Sequence, residues 1–287
     1  MRLKKAALVI LGVFIITSCE QPNVLTEFSN TTSDEALYLE AKQKMNDFDW
    51  NRAISILTTE LSADYRIRTE VKETLMHAYG GKCGILALDL IASLNEATSS
   101  KMFEVSLQIF GGQSVDTSAC DNSFDTLMSI SSDSTQRTSD QNLFAAILGL
   151  SKMATNIHVK FDTESSGLGD GVVDAGWDSC PDSTDPARLS DAEVKKIISG
   201  VGLIFENLTV LGSELTSGTA SASLTDALNS CESVLGVGNC TIVDEAAVTP
   251  EVRRFFRRMI SSSAVGYGTC DISDSTTPSC CPSIANP

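Results

Sequence analysis

The chain has 287 residues, 42% of them hydrophobic, and a formal net charge of −16 at pH 7. That apolar fraction suffices for a packed core and excludes a wholly disordered chain. The acidic balance repels phosphate backbones and anionic lipid surfaces, so nucleic acid is excluded as a partner.

The first element is a short leader. Arg2, Lys4 and Lys5 form a cationic start, and Ala6 to Ile16 form an apolar run. The run is about 11 residues long, well short of the roughly 20 that span a bilayer as a helix. Ile16-Thr17-Ser18-Cys19 closes it, and no Ala-x-Ala site lies there. The segment resembles a bacterial lipoprotein signal peptide, with Ile16 to Cys19 as its lipobox and Ile where Leu is commoner. The resemblance implies cleavage before Cys19 and diacylglycerol on the Cys19 thiol. Each buried methylene of such a chain contributes about 0.8 kcal/mol to membrane anchoring. Glu20, where Asp would favour the inner membrane, implies the outer membrane, with the body on its periplasmic or surface side. Removal of residues 1–18 would take the charge from −16 to −19 by losing Arg2, Lys4 and Lys5. Residues 19–33 then read as a lipidated tether, 34–265 as the body and 266–287 as a cysteine-containing tail.

Within the body, Thr32-Ser-Asp-Glu35 has the capping-box pattern of a helix start. Leu37, Ala41, Met45 and Phe48 recur at helical spacing, and Asn46-Asp-Phe-Asp49 breaks that helix. Trp50, Ala53, Ile54, Leu57 and Leu61 predict a second helix, residues 68–79 a third, and residues 85–94 a fourth after a turn at Gly80-Gly-Lys-Cys-Gly84. Leu37, Ala41, Ala53 and Leu57, with the Asp-Phe-Asp-Trp turn between them, resemble a tetratricopeptide-type helical hairpin. Leu75, Ala78, Tyr79 and Ala87 would carry a second unit. Lys44 stands where an aromatic is usual, and two units fall short of the three or so that a solenoid needs. The resemblance implies a groove that holds protein partners; an ordinary helical hairpin core is the other reading.

Further helices are expected over 101–110, ended by Gly111-Gly112, and over 123–130. Thr138-Ser-Asp-Gln141 caps an apolar helix over 143–159, and Ser190-Asp-Ala-Glu193 caps one containing Val194, Ile197, Ile198, Val201 and Ile204. Residues 162–188 and 213–223 read as loops, residues 224–235 as a helix. Thr249-Pro250 opens the last helix, with Pro in the first helical position and an end near Ala264. Sustained strand alternation is missing, which predicts an all-α body of antiparallel hairpins, stapled by disulfides.

With Cys19 lipidated, Cys83, Cys120, Cys180, Cys231, Cys240, Cys270, Cys280 and Cys281 remain, an even set that suits disulfides in an exported chain. A metal site would want Cys-x-x-Cys and nearby histidines, whereas only His77 and His158 are present. Cys231 and Cys240 flank the turn signal Gly236-Val-Gly-Asn239 and form the favoured pair. Adjacent Cys280 and Cys281 are expected to reach two different partners.

Two stretches invite a ligand. Laid on a calcium-binding EF-hand loop, Asp162, Glu164, Ser166 and Asp170 fall on ligand positions, Gly167 falls on the glycine, and Asp174 lies just beyond. Val173, however, stands where a bidentate Glu is needed. An acidic Gly-rich turn without an ion is the plain reading, and calcium the alternative. Arg253, Arg254, Arg257 and Arg258 form the one dense basic cluster, offering either a docking face for acidic groups or ion pairs with the chain's own carboxylates. Gly-x-Ser-x-Gly, the phosphate-binding Gly-x-x-x-x-Gly-Lys-Ser/Thr and His-Glu-x-x-His are all missing. The expectation is a non-enzymatic, membrane-anchored scaffold or adaptor for envelope proteins without a cofactor; the alternative is a solute- or calcium-linked accessory of a transport system.

Overall fold

The computed structural model describes residues 32–85, 99, 101–163, 168–180, 188–207, 218–269, 271 and 281. The fold is all-α, with no strand among the described residues. Its helices are α1 (Asp34–Asn46), α2 (Trp50–Ser55), α3 (Ala63–Arg66), α4 (Thr69–Cys83), α5 (Met102–Phe110), α6 (Thr117–Ile130), α7 (Ser139–Phe161), α8 (Asp191–Glu206), α9 (Gly218–Leu235) and α10 (Pro250–Ile260). A π-helical turn, Ile56–Glu60, continues α2. Most starts are fixed locally by a side-chain oxygen that accepts a free amide. Thr138 and Ser190 do so within complete capping boxes. Asp49, Ser62, Asp116 and Thr249 do so singly.

Helix α7 runs through the centre and is buried along most of its length. It meets α8 backbone to backbone. A Cβ at Gly149 would lie 2.5 Å from the Gly200 carbonyl oxygen, and one at Gly200 would lie 2.6 Å from that of Gly149. Helices α5 and α6 pack on α7, α4 pairs with α6, α10 lies on α8, and α9 touches α5. One large core unites these elements, from Met76 on α4 to Ile260 on α10. A second, smaller core holds Ala41, Ala53, Ile56, Leu57, Leu61, Tyr65, Val71 and Ala78. It joins α1, α2 and α3 to the outer face of α4, and the small Ala41 and Ala53 let α1 and α2 approach.

Among the described residues, three disulfides close the body. Cys83–Cys120 ties α4 to α6, Cys180–Cys281 ties the loop after α7 to the tail, and Cys231–Cys240 closes the turn after α9. Cys270 and Cys280 lie outside the described residues, as do Cys19, the tether up to residue 31, and residues 86–98 with Ala87.

Several boundaries differ from expectation. Gly80 and Gly81 are not a turn but interior residues of α4, which ends at Cys83 with Gly84 in the left-handed conformation at φ 107°. Each interior glycine costs a helix about 1 kcal/mol relative to Ala. Here aromatic rings from other elements occupy the space a Cβ would need. Ser33, not Thr32, caps α1. Asp116 starts α6 six residues before the expected Ser123, because its carboxylate takes the Ala119 amide. Helix α9 begins at Gly218, inside the expected linker, and α10 ends at Ile260.

Candidate functional site

The seam between the two cores opens into a cleft of about 390 Å³, within the range of ligand and side-chain pockets. One wall is Met45 and Asn46 at the end of α1 with Trp50 at the start of α2; the other is Asp140, Leu143, Phe144 and Ile147 on α7, and His77 and Ile85 lie between them. The α7 residues recur at the spacing that puts side chains on one helix face. Gly80 and Gly81 set how close the walls come. A Cβ at Gly81 would sit 2.5 Å from the Trp50 ring, and one at Gly80 would sit 2.9 Å from Phe144 Cζ. Both rings therefore lie on bare α4 backbone.

His77 meets Phe144 edge to face, with ring centroids 4.5 Å apart. The imidazole keeps an exposed side. Burial of the rest holds its pKa below the usual histidine value, with the Glu73 carboxylate pulling the other way.

Phe48 is not itself part of the lining but touches it through Trp50. Its ring packs at right angles on Trp50, with centroids 5.7 Å apart, yet 64% of the residue is exposed. Its φ is +59°, a conformation that bulky residues avoid. The hydrogen bonds show why the chain turns there. The Asp49 amide donates to the Lys44 carbonyl and the Phe48 amide to the Met45 carbonyl. This is the Schellman closure of a helix, whose left-handed residue is usually Gly. Phe in that place costs roughly 1–2 kcal/mol of backbone strain. A large exposed ring is thus held where the backbone would prefer no side chain.

The residues singled out in the sequence are placed elsewhere. Asp162 is buried, and its two oxygens accept from the amides of Asp170 at 2.8 Å and Gly171 at 3.0 Å, with His158 Nδ1 also 3.0 Å away. Asp170 accepts the Val172 amide, and Asp174 accepts the amide and hydroxyl of Thr163. Each carboxylate thus organises its own piece of backbone, and Trp177 anchors the loop between Phe161 and Tyr267. Glu164, Ser166 and Gly167 lie outside the described residues. Among the described residues no three His, Cys, Asp or Glu side chains converge as metal ligands.

The arginine cluster is split. Arg257 is 2% exposed and donates to the carbonyls of Ser179 and Leu189 and to Asp191. Burial lowers its pKa, with Asp191 opposing. Arg253 also reaches Asp191, at 3.4 Å, leaving Arg254 and Arg258 half-buried. A second ionic knot lies at the centre. Lys152, 1% exposed, reaches Glu245 at 2.7 Å and Ser199 at 3.3 Å beneath the Phe124 ring. Its neighbour Lys196 pairs with Asp121; burial pushes the Lys196 pKa down, but the Asp121 bond and nearby carboxylates outweigh that and raise it. Lys152 and Arg257 both have partners that fix helices, and neither lines the cleft.

Comparison with protein-family models, with curated proteins and with solved structures gave no match. Sequence reading passed over the cleft because its lining comes from four separate helices. Its one local signal was a Phe directly after a helix end, where Gly would be ordinary.

Proposed function

We propose that this protein is a non-enzymatic scaffold or adaptor of the bacterial envelope, anchored through lipid on Cys19, that grips a protein partner in the cleft between α1–α2 and α7. The observation that carries the reading is Phe48. An exposed aromatic ring kept in a strained backbone conformation beside an apolar cleft is better suited to contact than to folding. Strain at such a site is offset by the rest of the fold, here by Trp50 beneath the ring. Aromatic side chains that fill or rim a pocket dominate the energetics of protein interfaces. A tetratricopeptide-like arrangement of α1, α2 and α4 accords with this use, since such hairpins present grooves to partners.

The test uses the full chain in its native envelope. Cys19→Ser is expected to leave the membrane fraction or to accumulate as uncleaved precursor. Phe48→Ser, still anchored, is expected to lose the protein that co-purifies with the wild type, while the exposed control Ile67→Ser keeps it. Equal recovery with both serine variants would remove the cleft from the account, and full membrane retention of Cys19→Ser with acyl label would remove the anchor.

A further inference from the structure

If the cleft grips a partner, the charges around it narrow what that partner is. Among the described lining residues Asp140 is the one that carries a full charge. Glu73 stands one turn before His77 on α4 and accepts from Gln141 at 2.6 Å. Asp47 and Asp49 flank Phe48 and are exposed. The cations of the same elements are directed elsewhere. Arg52 is taken by Glu40 and Glu60, Lys82 by Asp116 and Lys72 by the Ser129 carbonyl. Lys42 lies over the Tyr38 ring. Lys44, two residues from Asn46, falls on the opposite side of α1. Asp140 thus lines an apolar slot whose neighbouring segments carry Asp47, Asp49 and Glu73, and among the described residues no Lys or Arg lines it.

We propose, resting on the docking reading above, that the cleft takes a segment of a protein partner with one large apolar side chain flanked by Lys or Arg. The apolar group fills the space between Trp50, Phe144 and Ile147; the flanking cations meet Asp47, Asp49, Glu73 and Asp140. A second copy of this chain, at −19 once residues 1–18 are removed, is repelled by the same carboxylates. Residues 20–31 of the chain itself contain Glu20 and Glu27 and no cation, so they do not match it either. Exposed ion pairs add little affinity and are screened beyond about 8 Å at physiological salt. These carboxylates therefore select and steer partners, while the apolar side chain supplies the hold.

Selection of a random twelve-residue peptide library on the full chain tests this. Enriched peptides are expected to carry Phe, Trp or Leu between Lys or Arg. A synthetic copy of the best one should bind about three- to tenfold more weakly to the Asp47→Asn/Asp49→Asn/Asp140→Asn variant at low salt, with the difference shrinking as salt rises. Asn keeps the helix cap at position 49. Binding should vanish with Phe48→Ser, and circular dichroism checks that both variants fold. Peptides that need Phe48 but are acidic or uncharged, or that ignore the Asn variant, would overturn the charge inference and spare the cleft. Enriched peptides that are all indifferent to Phe48→Ser would overturn both.

Discussion

Helices α7 and α8 touch through bare backbone, whereas α1 and α2 reach the rest of the molecule through side chains alone. At the centre, Gly149 and Gly200 bring two helices into direct contact, and the buried Lys152 and Arg257 have carboxylate or carbonyl partners. Every disulfide of the described residues also lies in this part or at its edge. The α1–α3 flank has a small core, the surface ion pairs of Arg52, and the exposed Leu39, Phe48 and Ile67. The difference teaches where motion belongs. A wall built of backbone contact and covalent links resists displacement, while a wall held by a few side chains can shift by local opening. The cleft lies between one of each.

The largest effects should come from the covalent side. In the chain-entropy description, a disulfide stabilises more as the loop it closes grows. Sequence separations of 101, 37 and 9 order the bonds as Cys180–Cys281, Cys83–Cys120 and Cys231–Cys240. Their paired serine variants should lose about 4.7, 3.8 and 2.6 kcal/mol respectively in denaturant melts. An order reversed between the first and last would show that the centre does not depend on its long-range links.

The next effect should stay in the flank. Leu57, 1% exposed, fills the small core. Leu57→Ala should cost about 2–5 kcal/mol there. Hydrogen exchange should speed up through α1–α3 and leave α7 unchanged. Equal acceleration in α7 would mean that the two regions unfold as one and that the contrast drawn here is wrong.

A smaller change of opposite sign is expected at Phe48. Phe48→Gly relieves the left-handed strain and should stabilise the protein by about 1 kcal/mol while abolishing the proposed partner binding. A destabilised Phe48→Gly variant would mean that the ring serves the fold instead of the partner.

The smallest effect is one of pH. Burial holds His77 below its ordinary value of 6.5. The folded chain therefore takes up this proton less readily than the unfolded chain. The associated stability is complete above pH 6.5 and is lost as pH falls through the lowered folded value. Solvent on the exposed side of the ring keeps the slope shallow. His77→Gln should remove it from a series of melts between about pH 7.5 and about pH 5, whereas an unchanged series would place the acid sensitivity on another group.

What could be read from the sequence was what is decided within a few residues. The caps at Thr138, Ser190 and Thr249 are local hydrogen bonds, and they lie where the pattern put them. The turn at Gly236-Val-Gly-Asn239 pointed to Cys231 and Cys240, which are joined. The helical class followed from periodicity alone. What could not be read depends on distant partners. Gly80 and Gly81 look like a turn until Trp50 and Phe144 are seen lying against them. Arg257 looks like a surface charge until Ser179, Leu189 and Asp191 close over it. The cleft combines α1, α2, α4 and α7, and nothing in their separate patterns brings them together.

The most direct test of the central claim is photocrosslinking from position 48. A benzophenone amino acid in place of Phe48, in the full chain with its proposed lipid anchor, should give one discrete adduct on irradiation of intact envelopes. Mass spectrometry should map it to a partner segment with an apolar residue between basic ones, and the same probe at Ile67 should give none. No adduct from position 48, or the same adduct from position 67, would contradict the assignment of this cleft as the docking site.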